Sequence, residues 1–115
     1  MIEESYVSFD TAKLLKEAGF NVPCEKWYGE SGFFMSGNYK ECKCPTQALA
    51  ARWLREKHGL FIEIYHRVTG YAYFVIKIES NELLAIPTIS DKMQFDIYEE
   101  AFENALRKAI KLIKK

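Results

Sequence analysis

Five soft or titratable side chains are the residues of this 115-residue chain best suited to chemistry: Cys24, Cys42, Cys44, His58 and His66. They are enough for a tetrahedral zinc site, which takes thiolate and imidazole ligands in close pairs two to four residues apart, twice over. The spacing does not fit. The only close pair is Cys42-Lys43-Cys44, and the two histidines stand on either side of a helix stop. The expectation is no metal and no cofactor, with Cys24 a small core residue and Cys42 and Cys44 two exposed thiols in a loop. Lys43, with Lys40 nearby, favours a thiolate electrostatically. A thioredoxin-type pair, however, has two intervening residues and opens a helix, whereas this pair has one and stops short of Pro45.

Other chemistries find less. No Gly-x-Ser-x-Gly elbow occurs, and neither histidine has a serine or carboxylate partner in a recognisable motif. His58 suits a helix end, where a cationic side chain meets exposed carbonyls. The carboxylate pairs Glu3-Glu4 and Glu99-Glu100 read as a solvated terminus and a dipole-matched helix start. Gly29, Gly32 and Gly37 are not followed by the lysine and hydroxyl residue of a phosphate-cradling loop. The expectation is therefore not an enzyme, with no small-molecule substrate.

Two binding readings remain. Thr69-Gly70-Tyr71-Ala72-Tyr73-Phe74-Val75-Ile76 resembles a degenerate RNA-recognition-motif strand, in which alternating aromatics stack on bases. Tyr71 and Tyr73 match in type and spacing, while Thr69 replaces the basic residue and Ile76 the last aromatic. Sixteen basic residues balance sixteen acidic ones, so no net field draws in a polyanion. Nucleic-acid binding is thus the alternative. The preferred reading is a protein-binding or self-associating face carrying Phe61, Tyr65, Arg67, Tyr71, Tyr73 and Lys77, a mixture of aromatics and charges found at interfaces.

The elements that position these residues follow from pattern. A helix over Phe9–Ala18 has Ser8 or Asp10 as cap, Thr11, Leu14, Leu15 and Ala18 on one face, and Gly19 as its stop. Trp27, Tyr28, Phe33, Phe34 and Tyr39 suggest a short hairpin, and Asn38 to Cys44 a polar connection. A second helix starts near Pro45, buries Leu49, Ala50, Trp53 and Leu54 with the stem of Lys57, and stops at Gly59. Leu60–His66 and Tyr71–Glu79 form an antiparallel hairpin across the loop Arg67-Val68-Thr69-Gly70. Its core side is expected to carry Leu60, Ile62 and Ile64 with Ala72, Phe74, Ile76 and Ile78. Its open side then carries Phe61, Glu63, Tyr65 and Arg67 with Tyr71, Tyr73, Val75 and Lys77. Leu83–Ile86, ended by Pro87, and Met93–Phe95 are candidate short strands. The last helix has an Asp96/Glu99 capping box and a stripe of Tyr98, Ala101, Phe102, Ala105, Leu106, Ala109, Ile110 and Ile113.

Apolar residues at 49% and charged ones at 28% suit one soluble globular domain over residues 1–115. No apolar run approaches a membrane span, and the acidic start Met1-Ile2-Glu3-Glu4 lacks a secretory signal pattern. An odd number of cysteines favours a reducing, cytoplasmic setting. The expected fold is α+β: a small two-layer domain with three helices on one face of an antiparallel sheet containing a central hairpin.

Three blocks of the chain resemble a family of small uncharacterised proteins from Bacteroides-type gut bacteria and their prophages. They are Tyr6–Phe20, then Pro45-Thr46-Gln47 with Trp53–Gly59 and Ile62-Glu63-Ile64, and finally Phe95–Ala101. The resemblance implies a phage or mobile-element context. It brings no assigned activity and no site residues.

Overall fold

The helices begin and end where backbone chemistry requires. The computed structural model describes residues 5–29, 34–36, 42–68, 70–85 and 95–113. Helix α1 spans Phe9–Glu17; Ser8 is its cap, its hydroxyl accepting from the Thr11 amide at 3.3 Å. Gly19, at φ +95°, turns the chain away after the helix. Three short strands follow. β1 (Lys26–Tyr28) pairs antiparallel with β2 (Phe34–Ser36) on one side and β3 (Cys42–Lys43) on the other. The expected hairpin is therefore present in β1 and β2, whereas the expected polar connection ends in a strand. Phe33, Tyr39 and Lys40 lie outside the described residues.

Helix α2 spans Gln47–His58. Thr46 caps it by accepting from the Leu49 amide at 3.1 Å, and Pro45 precedes that cap. Gly59, left-handed at φ +66°, closes the helix by donating its amide to Arg55. The chain enters β4 (Leu60–Arg67) at once and returns in β5 (Gly70–Lys77), register Leu60↔Lys77 to Arg67↔Gly70. β4 thus ends at Arg67 and β5 begins at its partner Gly70, so the first and last residues of the four-residue loop expected belong to the strands; Thr69 lies outside the described residues. β6 (Glu82–Ala85) adds to β5, giving the order β4-β5-β6. Ile86, Pro87 and Met93 lie outside the described residues; Phe95 exchanges two 2.7 Å backbone bonds with Tyr71 and so extends that edge. Helix α3 spans Tyr98–Ile113, starting one residue later than an Asp96 cap gives, with the Ala101 amide donating to the Ile97 carbonyl at 3.2 Å.

The result is a small α+β domain with, among the described residues, three helices and two antiparallel sheets, where a single sheet was expected. α2 and α3 contact β4, α3 contacts β5, and α1 packs on α3 and β3. One core cluster joins Ala12 and Leu15 of α1, Ala50, Trp53 and Leu54 of α2, Leu60, Tyr73 and Val75 of the β4-β5-β6 sheet, and Ala101, Ala105, Leu106, Ala109 and Ile110 of α3. Three alanines on α3 remove side-chain bulk and let neighbouring elements approach closely. Residues 5–7 run antiparallel beside 45–47, tied by Val7 N–H to Pro45 O at 3.1 Å and Gln47 N–H to Ser5 O at 2.8 Å. Among the described residues, no helix is long and apolar enough to cross a membrane.

A polar junction lies within this packing. Glu103 of α3 accepts from the Ser8 amide at 2.8 Å and from Gln47 Nε2 at 3.0 Å, and Gln47 also donates to the Glu99 carbonyl at 3.0 Å. One carboxylate thus binds the starts of α1 and α2 to α3. Gln47 is nearly buried, and its amide hydrogens have no water to turn to.

Candidate interaction face

The two-residue β4–β5 connection decides which side chains share a face. Opposed residues of an antiparallel pair project to the same side, and a connection of even length places even-numbered residues of β4 opposite odd-numbered residues of β5. Ile62 therefore faces Val75, Ile64 faces Tyr73 and His66 faces Tyr71. This side packs under the helices. Val75 is fully buried, and Tyr73 is 3% exposed, stacked against Phe95 at 6.3 Å. Tyr71 packs edge-on against Tyr98 at 5.7 Å.

The expected division of β5 is accordingly inverted. Tyr71 and Tyr73 belong to the helix-covered side, so they form no open platform for bases or for a partner. Phe61, Tyr65 and Arg67 do stand on the outer side, where Phe74 and Ile76 join them in place of the tyrosines. Lys77, opposite Leu60, is exposed at the end of β5. The six expected site residues are thus split between the two faces.

The outer side is built from three strands. Phe61 opposes Ile76, and Ile76 opposes Leu83, making one apolar row across the sheet. Phe61 is 39% exposed and Leu83 52%. Beside the row, Tyr65 and Phe74 stack at 4.7 Å with ring planes 20° apart. Glu63 opposes Phe74, and exposed Arg67 ends the strand. None of Phe61, Tyr65, Phe74, Ile76 or Leu83 takes part in the core cluster. A bulge in β6 lets Leu83 and Leu84 both oppose Ile76; Leu84 packs against the core while Leu83 points outward.

The cysteines are not where a loop would leave them. Cys42 and Cys44 are buried, Cys44 to 1% exposure, and the Cys44 amide donates to Lys26 O at 2.9 Å. Burial pushes the Cys44 thiol up to about 11, and it raises Cys24 as well, against the pull of the Lys43 ammonium. At neutral pH these are protonated thiols, the opposite of an activated nucleophile. Lys43 instead donates to the Asn21 carbonyl at 2.9 Å and lies 5.9 Å from the Trp27 ring centre. The Tyr28 hydroxyl donates to the Val7 carbonyl at 2.7 Å, and burial raises its pKa. Cys24 and Cys44 line a cavity of about 170 Å³ with Tyr6, Pro45 and Leu49.

His58 packs edge-on against Trp53 at 4.7 Å as the last residue of α2, and His66 against Tyr71 at 5.3 Å. Among the described residues, no three histidine, cysteine or acidic side chains are grouped to hold a metal ion. Sequence reasoning missed Phe74, Ile76 and Leu83 as outward residues and Glu103 as a half-buried acceptor. Counting the parity of the hairpin connection finds the first two; nothing local marks Glu103 among its acidic neighbours. In comparisons with known proteins, no family model, no curated protein and no solved structure matches this chain.

Proposed function

We propose that this chain is a protein-binding domain rather than an enzyme, and that it docks a protein partner on the outer side of the β4-β5-β6 sheet. One observation carries the reading: the Phe61–Ile76–Leu83 row, which stays outside the core while the opposite side of the same strands packs under α2 and α3. An apolar row flanked by a stacked aromatic pair and bounded by Glu63 and Arg67 has the composition of an interface, with an apolar centre and a charged rim. Burying a side chain such as Phe61 or Leu83 stabilises a complex by roughly 1.5–3 kcal/mol when the side chain starts fully exposed, and by about half of that here. The protonated thiols add support, because they remove the most reactive candidate for covalent chemistry. The prophage setting implied by the sequence resemblance suits a small adaptor of this kind.

The test is site-specific photo-crosslinking in cells. A photoreactive residue at position 83 should yield a discrete adduct that one at position 13, on α1, does not. A Phe61→Asp change should abolish that adduct while the protein stays folded, its melting temperature falling by only about 4–6 °C. Identical adduct patterns from positions 83 and 13 would contradict the reading.

A further inference from the structure

We infer that a second copy of the chain extends this sheet, pairing antiparallel with the edge of β4, which has no neighbouring strand among the described residues, about a two-fold axis through Tyr65. The inference rests on the reading of the outer side as an interaction surface, which the dimer makes continuous across two copies.

The two edges of the β4-β5-β6 sheet are unlike. β6 has four residues, carries a bulge and is continued by Phe95, features that blunt an edge. β4 has eight residues in unbroken register with β5 and, among the described residues, no strand on its other side. The Ile78 amide donates to the Gly59 carbonyl, so odd-numbered residues of this strand bond inward. Tyr71, opposite His66, spends both of its groups on Phe95, in the direction away from β4. The alternation of an antiparallel ladder then turns the N–H and C=O groups of Leu60, Ile62, Ile64 and His66 outward. A regular strand edge whose outward groups bond to no strand among the described residues is a template for another strand.

Charge selects both the partner and the register. An axis through Glu63 sets two carboxylates against each other. An axis through Ile64 places Glu63 opposite Tyr65 and Arg67 opposite Phe61. An axis through Tyr65 places Glu63 of each copy opposite Arg67 of the other, twice, on the solvent side of the sheet. The same register pairs Ile64 with His66 through outward backbone groups and brings Ile62 against Val68, which is 99% exposed in the single chain. The two Tyr65 rings meet at a closely spaced, non-hydrogen-bonded position. Two three-stranded sheets become one, and the apolar rows of both copies join a single outer surface. A contact confined to one strand edge is smaller than a standard interface, so the dimer is weak and concentration-dependent.

Sedimentation equilibrium of the full chain from roughly 1 to 500 μM tests this. Glu63→Arg and Arg67→Glu each convert two attractive pairs into two repulsive ones, and each should weaken dimerisation by about tenfold or more. The double variant E63R/R67E should recover dimerisation to within about threefold, and a mixture of the two single variants should form a heterodimer. His66→Pro deletes an outward N–H from an exposed position while sparing the ladder to β5, and it should yield a monomer with unchanged circular dichroism. A wild type that stays monomeric throughout, a double variant no more associated than the singles, or an H66P protein that dimerises like wild type would each overturn the inference. The crosslink from position 83 to a different protein would survive all three results, so the two readings fail separately.

Discussion

Replacing Glu103 should destabilise this protein far more than replacing any acidic neighbour on the same helix. Glu103→Ala removes the acceptor of the Ser8 amide at 2.8 Å and of Gln47 Nε2 at 3.0 Å. Hydrogen bonds to an ionised acceptor contribute about 1.5–3 kcal/mol each when buried. Glu103 is only half-buried, so water recovers part of the loss, and the expected cost is about 3 kcal/mol. Glu103→Gln keeps one accepting oxygen and turns an NH₂ group towards the other donor, which should cost about 2 kcal/mol. Glu99→Ala is the control: Gln47 uses the backbone carbonyl of Glu99, not its side chain, and the change should stay within about 0.5 kcal/mol. Urea unfolding followed by tryptophan fluorescence gives these differences directly, and the E103A melting temperature should fall by roughly 12 °C. A double-mutant cycle with Gln47→Ala should return a coupling of about 1 kcal/mol or more. If E103A proves as stable as E99A, the junction does not hold the three helices and the reasoning fails.

Other outcomes follow from the same packing. Tyr73→Ala should cost about 3–5 kcal/mol and Phe61→Ser less than about 1 kcal/mol, a contrast that equilibrium unfolding checks and that reversed facing would invert. Burial raises the Cys44 thiol from its ordinary 9.0 to about 11, so the folded state holds that proton more tightly than the unfolded chain does. The resulting stabilisation, roughly 2–3 kcal/mol, is complete below pH about 9 and lost as pH rises towards 11. Unfolding free energies at pH 8, 9 and 10 should therefore decline, with a shallower decline in Cys44→Ala; parallel curves would refute this. Gly59→Ala meets no atom within 4 Å, so its cost should be the left-handed backbone penalty alone, about 1–2 kcal/mol by thermal melting.

Where local chemistry determines structure, the sequence was legible. Ser8 and Gly19 bound the first helix, Gly59 stops the second, and the stripe from Ala101 to Ile110 identifies the buried side of the third. The candidate face was legible only in half. Alternation along β4 correctly put Phe61, Glu63, Tyr65 and Arg67 together. Alternation alone does not say which set of the next strand joins them, because β5 is apolar or aromatic at nearly every position; only the length of the connection decides. Cys42 and Lys43 gave no strand signal because a two-residue pairing leaves no room for a period to register. Glu103 looked like one more solvated charge near a helix start, and its role depends on Ser8 and Gln47 arriving from elsewhere in the chain.

The central claim is the division of the β4-β5-β6 sheet into a covered side and an open one. Paramagnetic relaxation by a soluble, uncharged gadolinium chelate measures it residue by residue, at a protein concentration low enough to keep the chain monomeric. The side-chain protons of Phe61 and Leu83 should relax strongly, while those of Tyr73 and Val75 stay protected. Strong relaxation at Tyr73 with protection at Phe61 and Leu83 would contradict the account.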